Sequence, residues 1–171
     1  AIEAVDVKDR SIRTATQVFK ADTANVIPPQ MAASVAQQAG LADKTGWCPI
    51  DPVTFESTLQ RDIHLVGDAI IPGDMPKSAF SANSQGKACA FAIAAALTGA
   101  DSPQQFLFNT CFTFLAPDDA VSDAISFRNV GGKISIEEIA FSKLDESAAI
   151  RARAVRESNG WYDAFSRDIF G

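Results

Sequence analysis

A stretch of small side chains near the middle of the chain constrains its fold more than any other feature. Alanine, serine and glycine dominate residues 79–98, and Gly99 follows them. Alanine has the highest helix propensity, and glycine commonly follows the last residue of a helix. The pattern therefore predicts a helix from Ser78 to about Thr98. Because its side chains are small, this helix can lie close to another backbone or to a flat ligand.

The composition of the chain is that of a globular protein. Of its 171 residues, 47% are hydrophobic and 21% are charged, which indicates one good-sized domain or two small ones. The formal net charge of -6 disfavours contact with phosphate backbones, so we expect no nucleic-acid partner. The longest strictly apolar run, Ala88 to Leu97, has ten residues. A membrane-spanning helix needs about 20 residues, so we expect no transmembrane segment.

The first part of the chain has the pattern of short strands with one short helix. Residues suited to a pleated sheet occur in brief runs, and two of these runs flank a charged turn to form a predicted hairpin. Two prolines at 28–29 end one strand, because proline cannot donate to a sheet, and Gly40 ends the helix. The predicted elements are strands at 1–7, 12–19, 25–27 and 62–66 and a helix at 31–39.

The composition changes after Gly99, where residues 101–103 have the character of a linker. An aromatic, β-prone strand is predicted at 106–115. Alternating residues on either side of a Gly-Gly pair predict a second hairpin, with strands at 121–128 and 133–139. An apolar stripe of helical spacing predicts a helix at 145–167.

The local pattern that most suggests a binding site is the pair Gly67-Asp68, at the end of the predicted strand at 62–66. An irregular loop and the small-residue helix follow it. Glycine allows a backbone to approach a cofactor closely, and the aspartate can accept hydrogen bonds from ribityl hydroxyls. The amides near Met75-Pro76-Lys77-Ser78 can face the electron density of a reduced isoalloxazine ring. A plain strand-to-loop turn with a capping aspartate explains the same residues.

The cysteine and histidine content excludes several kinds of site. The three cysteines, Cys48, Cys89 and Cys111, are an odd number without CxxC spacing, so neither a disulfide framework nor a zinc site is indicated. The single histidine, His64, lies inside an apolar run, where we expect a hydrogen-bonded strand residue and not a catalytic base. Cys89 is expected to be an inert thiol of the helix.

Several motifs together resemble one family. They are Val26–Gln30, Gly46–Pro49, Thr54–Ser57, Gly67–Ala69, Met75–Lys87, Asn109–Cys111, Leu115–Pro117, Trp161-Tyr162 and Phe170-Gly171. The chain resembles the flavoprotein subunit of flavocytochrome c sulfide dehydrogenase, a relative of sulfide:quinone oxidoreductases and disulfide-reductase flavoproteins. The resemblance covers essentially the whole chain, but it corresponds only to the C-terminal part of that subunit.

The resemblance implies an α+β or α/β fragment. The G-x-G-x-x-G fingerprint that opens a dinucleotide-binding domain is absent from the sequence, so we expect a piece of a longer protein. We expect residues 1–28 to be the tail of a nucleotide-binding-like domain and residues 29–100 the second half of an FAD-binding domain. Residues 101–171 would then be a C-terminal α+β interface domain. Exposed sheet edges would promote self-association of such a fragment.

The resemblance also assigns roles to individual residues. Cys111 matches the family's C-terminal redox cysteine, whose partner lies near the flavin in the part expected upstream; a small buried residue on a strand is the alternative. Trp161 matches an aromatic residue close to the flavin, with core packing as its alternative. The remaining cofactor-binding residues are Gly67, Asp68, Pro76 and Lys77. Lys77 would stabilise the anionic reduced flavin, or else it is a solvated lysine.

These roles imply a periplasmic enzyme that oxidises sulfide at an FAD–disulfide centre and passes electrons to a c-type cytochrome subunit. The haem belongs to that partner, since this chain has no CxxCH motif. We expect the isolated chain to bind no FAD tightly and to have no turnover. Two alternatives stay open: a quinone- or NADH-linked flavoprotein of the same superfamily, and a non-catalytic cytochrome-docking module. A bridge between Cys48 and Cys111 is also open, subject to the distance between their Cα atoms.

Overall fold

The computed structural model describes residues 2–102, 104–143 and 145–171. The chain divides into two compact units, residues 1–31 and residues 32–171. Helices and antiparallel sheets coexist in separate segments, so the predicted α+β class is confirmed.

The first unit is a small antiparallel meander. Strands β1 (Ile2–Asp6), β2 (Ser11–Thr14) and β3 (Val18–Lys20) pair in sequence order. The predicted hairpin is confirmed, but its second run is two strands. A turn divides them, because the Thr14 hydroxyl donates to the Gln17 carbonyl and accepts from its N–H, both at 3.1 Å. The strand predicted at 25–27 is wrong, since this segment lies outside any strand and Ile27 is exposed.

The second unit begins with irregular chain around one short helix. Helix α1 (Ser34–Gln38) is followed by Gly40 in a left-handed conformation, as predicted. The strand predicted at 62–66 is wrong: His64 makes only an isolated bridge to Glu56. The cause is a bend at Asp62, whose φ is 62° and whose N–H donates to the Glu56 carboxylate at 2.9 Å. Gly67–Ala69 then forms a single 3₁₀ turn.

Helix α2 (Ala79–Thr98) confirms the prediction from the small-residue stretch. The Ser78 hydroxyl caps its first turn by accepting from the Ser81 N–H at 3.1 Å, and Gly99 ends it. Its buried residues recur at helical spacing and form one stripe that faces the rest of the unit. They are Ser81, Gln85, Ala88, Cys89, Ala92 and Ala95.

A second antiparallel meander and a long helix complete this unit. Strands β4 (Leu107–Ala116), β5 (Asp119–Val130) and β6 (Lys133–Phe141) pair in order, and the Gly131-Gly132 turn joins the last two as predicted. Helix α3 (Ala148–Phe170), capped by Ser147, packs against β5 and β4. The helix predicted at 145–167 is confirmed, but it begins and ends three residues later than predicted. In the described ranges, no helix is long and apolar enough to cross a membrane.

One hydrophobic core joins the loop before α2, helix α2 itself and the second sheet. It contains residues from both sides of the predicted linker at 101–103. Its buried members are Phe55, Ile70, Met75, Ala88, Cys89, Leu107, Phe127 and Ile134. The segments predicted as 29–100 and 101–171 therefore share one core, although their boundaries stay predictions.

The tightest point in this core is the contact of Gly73 with β6. The φ of Gly73 is +63°, and an added Cβ would lie 2.2 Å from the Ile134 carbonyl oxygen. The next residue, Asp74, donates its N–H to that same oxygen at 2.9 Å. The loop can therefore lie against the strand only because residue 73 has no side chain.

Gly73→Ala should lower the free energy of unfolding by about 2 kcal/mol or more, because it adds both backbone strain and a clash with main chain. Gly86→Ala is the matched control. Gly86 lies within α2 with nothing within 4 Å of an added Cβ, so alanine there should raise stability by about 0.5–1 kcal/mol. Urea unfolding followed by circular dichroism measures both changes. Equal effects of the two substitutions would contradict the close approach at residue 73.

Candidate functional site

The predicted Gly-Asp pair lies in the loop that runs directly against helix α2. Gly67 has a φ of +74°, and an added Cβ would approach the Ala82 Cβ to 3.3 Å. Its N–H donates to the buried Gln85 side-chain oxygen at 2.7 Å. The glycine therefore accommodates the helix that follows it in the chain. The sequence predicted that the small side chains of this helix allow close approach of another backbone or of a flat ligand. At Gly67 the structure shows close approach of another backbone.

Lys77 anchors the same loop through its ammonium group. Its Nζ donates to the carbonyl oxygens of Asp68 at 2.5 Å and Ile70 at 2.7 Å. It also lies 3.7 Å from the centroid of the Trp47 ring, a cation–π geometry. Burial lowers the pKa of Lys77, while the nearby Asp68 carboxylate opposes that shift. Lys77 is thus a fixed positive charge beside the loop, and the Asp68 side chain stays exposed.

The end of this loop is tied to the second sheet by an ion pair. The Lys133 ammonium donates to the Asp74 carboxylate, and the Ile136 N–H donates to its other oxygen at 3.4 Å. The hydrogen bond from Lys133 is the main reason that the pKa of Asp74 lies below its ordinary value of 3.8. Pro76 follows in the half-buried stretch that leads into α2.

Cys111 lies on β4, and its environment differs from that of a core residue. The residue is exposed, so the alternative of a small buried residue is wrong. Its N–H donates to the Asp123 carboxylate at 3.0 Å. Its sulfur accepts from the Asn109 side-chain Nδ2 at 3.4 Å. Asn109 lies two residues earlier on β4, so both side chains project from the same face of the strand.

Asn109 connects the cysteine to the first turn of α2. The amide is buried, and its Oδ1 accepts from the Ser78 hydroxyl at 2.6 Å and from the Ser81 hydroxyl at 3.1 Å. Ser78 is also the cap of α2. A continuous chain of hydrogen bonds therefore leads from the start of the helix to the sulfur of Cys111.

A small cavity of about 170 Å³ adjoins Cys111 on this sheet. Its lining mixes hydroxyl, carboxylate and apolar groups, and it is large enough for a few water-sized species. The other lining residues are Thr113, Val121, Ser122, Asp123, Phe141 and Ser142.

Trp161 is the centre of a stack of three aromatic rings. Its ring lies 5.4 Å from that of Phe80, with an interplanar angle of 17°, and 5.2 Å from that of Phe165 at 28°. Phe80 belongs to the first turn of α2 and Phe165 to α3. The stack therefore holds the C-terminal helix against the start of α2. This is the packing alternative for Trp161, and its proximity to a flavin stays a prediction.

The predicted site residues thus converge on one part of the unit. Contacts link Gly67, Asp68, Lys77, Cys111 and Trp161 to the first two turns of α2 or to the loop before it. Three residues that hold this arrangement together are missing from the sequence-based candidates: Ser81, Gln85 and Asn109. The sequence feature that could have indicated them is a polar residue at a position where the helical stripe or the strand face is otherwise apolar.

The other two cysteines lie in apolar surroundings. Cys48 packs beside α1 and Cys89 lies on α2 in the main core, and burial raises the pKa of both thiols. Cys48, Cys89 and Cys111 are all free thiols. The expectation of an inert thiol at Cys89 agrees with its burial, and the structure shows no bridge between Cys48 and Cys111.

A comparison with known families finds a match in the C-terminal segment of the chain. Residues 103–170 match the family described as flavocytochrome c sulphide dehydrogenase, flavin-binding. The match includes Cys111, Asn109 and Trp161, whereas Gly67 and Lys77 lie before it. It confirms the predicted resemblance for the sheet β4–β6 and helix α3.

The ion pair between loop and sheet gives a pH-dependent prediction. Because the folded-state pKa of Asp74 is lowered, its carboxylate contributes stability above the unfolded value, and that contribution is lost as pH falls through the folded value. Lys133→Met should raise the Asp74 pKa toward 3.8. The mutant should be less stable than the wild type at neutral pH, with the gap closing in acid.

The measurements are an NMR titration of the Asp74 carboxyl and urea midpoints from neutral pH down to acid. Lys143→Met is the matched control, because it removes one charge from an exposed position just after β6. It should leave the Asp74 titration in place. An Asp74 titration unmoved by Lys133→Met would show that the ion pair does not form in solution.

Proposed function

We propose that this chain forms the C-terminal part of a flavoprotein that oxidises sulfide and passes the electrons to a c-type cytochrome. The observation that carries the proposal is the match of residues 103–170 to the flavin-binding family, with the exposed Cys111 inside it. Contacts join Cys111, through Asn109, and Trp161 to the start of α2, and Lys77 binds the loop that leads into this helix; together they support a single site. A periplasmic location is part of the same proposal.

The residues present suit an FAD molecule that lies along the loop before α2. The exposed Asp68 carboxylate offers acceptors for ribityl hydroxyls, and no Cβ at Gly67 obstructs the turn. Lys77 holds a positive charge beside Asp68, although two carbonyls and the Trp47 ring engage its ammonium. When bound, FAD would supply the acceptor for an electron pair.

Cys111 would supply the sulfur chemistry. In the oxidised protein it would be joined by a disulfide to a second cysteine from the part of the protein expected upstream. A hydrosulfide ion attacks one sulfur of that disulfide, the S–S bond breaks, a persulfide forms on the attacked cysteine, and the other sulfur leaves as a thiolate. The exposed position of Cys111 beside a small cavity allows such an ion to reach it.

The apolar surface of this unit supports its place in a larger assembly. Helix α2 buries one stripe, yet Phe91 on it is 65% exposed and Leu97 is 83% exposed. Phe108 and Phe141 on the second sheet and Phe106 just before it are also exposed. A helix that is apolar all round is usually covered on both sides, and exposed aromatic patches are typical of protein contact surfaces. The rest of an FAD domain and a cytochrome subunit are the covering partners that we propose.

The test is Cys111→Ser in the full-length natural protein carrying FAD. Addition of sulfide should bleach the flavin absorption of the wild type, and the mutant should lose this reaction by roughly a hundredfold or more, since the nucleophilic exchange has no sulfur to act on. Cys89→Ala is the matched control, because Cys89 is buried in the core. It should keep the reaction.

Sulfide-dependent bleaching that survives in Cys111→Ser would overturn the redox role of this cysteine. If the mutant and the wild type both bind a c-type cytochrome while neither reacts with sulfide, the chain is a non-catalytic docking module instead.

A further inference from the structure

We propose that Asn109 is a positioning residue for Cys111, with its side-chain amide oriented by Ser78 and Ser81 so that an N–H donor faces the sulfur. This inference rests on the proposed redox role of Cys111. It adds a role for a residue that the sequence analysis gave only as part of the Asn109–Cys111 motif.

The orientation of the amide follows from the hydrogen-bond inventory around it. Ser81 is buried and its hydroxyl reaches only one acceptor among its hydrogen bonds in the described residues, the Asn109 Oδ1. The Ser78 hydroxyl already accepts from the Ser81 N–H, so its own proton is free to be donated to Oδ1 at 2.6 Å. Two donated protons therefore hold the oxygen of the amide on the helix side.

With Oδ1 held by the serines, Nδ2 must point the other way along β4. There it lies 3.4 Å from the Cys111 sulfur. Because Asn109 is only 1% exposed, water does not compete for this donor. Because the amide group is planar, fixing its Oδ1 also fixes its Nδ2. The N–H donor is therefore already oriented toward the sulfur.

A fixed donor changes what the sulfur can do. A thiolate accepts an N–H hydrogen bond more strongly than a neutral thiol does, and the thiolate is the form that attacks or leaves in disulfide exchange. The only charged group among the residues that line the cavity beside the sulfur is Asp123, a carboxylate that disfavours a second negative charge. The Asn109 donor offsets that repulsion and holds the sulfur at the mouth of the cavity.

The experiment measures alkylation of Cys111 by iodoacetamide in the folded chain across a range of pH, with the modified peptide quantified by mass spectrometry. In Asn109→Leu, which keeps the branching of the side chain but has no donor, the rate at neutral pH should fall roughly three- to tenfold, as expected for loss of one hydrogen bond. The pH of half-maximal rate should rise. Asn109→Asp keeps an acceptor for the serines but places a carboxylate oxygen near the sulfur, so it should react more slowly still.

Two further variants separate positioning from general loss of structure. Ser81→Ala removes one of the two hydroxyls that orient the amide, and it should move the rate in the same direction by a smaller factor. Thr110→Val is the matched control, because Thr110 lies between Asn109 and Cys111 on β4 and projects from the opposite face of the strand; it should leave the pH profile unchanged. In concentrated urea, the rates of wild type and Asn109→Leu should become equal.

Folded Asn109 variants with the wild-type pH profile would overturn the proposal. If circular dichroism shows that both Asn109 variants are unfolded, the test rests on Ser81→Ala. A wild-type pH profile of alkylation in Ser81→Ala then overturns the proposal as well. This outcome is independent of the sulfide test. If Cys111→Ser abolishes flavin bleaching while the Asn109 variants are alkylated like the wild type, only the positioning role is rejected. Retained bleaching in Cys111→Ser rejects the proposed function and leaves the amide–sulfur contact measurable.

Discussion

The close approach of helix α2 to the chain on either side of it is the constraint on which the second unit depends. Gly67 and Gly73 bring the preceding loop close to α2 and to β6: an added Cβ would lie 3.3 Å from the Ala82 Cβ at Gly67, and it would overlap the Ile134 main chain at Gly73. Close packing gains dispersion energy from many small contacts, but it also removes water from the backbone. Each polar group at these contacts must then find a protein partner.

The buried polar groups of the site find their hydrogen-bond partners in residues that lie far away in the sequence. Gln85 accepts from the Gly67 N–H, and Asn109 accepts from two serines at the start of α2. Lys77 satisfies two loop carbonyls. These bonds leave little freedom in the loop, so any group that bound beside Asp68 would meet a surface already fixed. Such preorganisation lowers the reorganisation that binding or reaction requires.

Local signals in the sequence predicted much of this fold. Ser78 and Gly99 bounded α2 correctly because capping depends on residues next to the helix, and Gly131-Gly132 marked the hairpin turn. The prediction of a strand at 62–66 is wrong because the apolar pattern predicts extended chain, whereas the backbone bends at Asp62. The role of Asn109 was out of reach for a different reason. It depends on serines 28 and 31 residues away, a pairing that only the folded core brings about.

The two faces of α2 explain why one helix can serve both a core and a site. Its buried stripe consists of small and polar residues, which allow the loop and β4 to lie close. At its N-terminus, Ser78 and Ser81 bond Asn109, and Phe80 stacks on Trp161. Away from that stripe, the surface of α2 carries Phe91 and Leu97 in exposed positions. Burying a large apolar side chain is worth about 1.5–3 kcal/mol, so covering this face with a further layer would stabilise the same helix that orders the cysteine. Assembly and redox geometry would then be coupled through α2, because whatever fixes the helix also fixes the amide that faces Cys111.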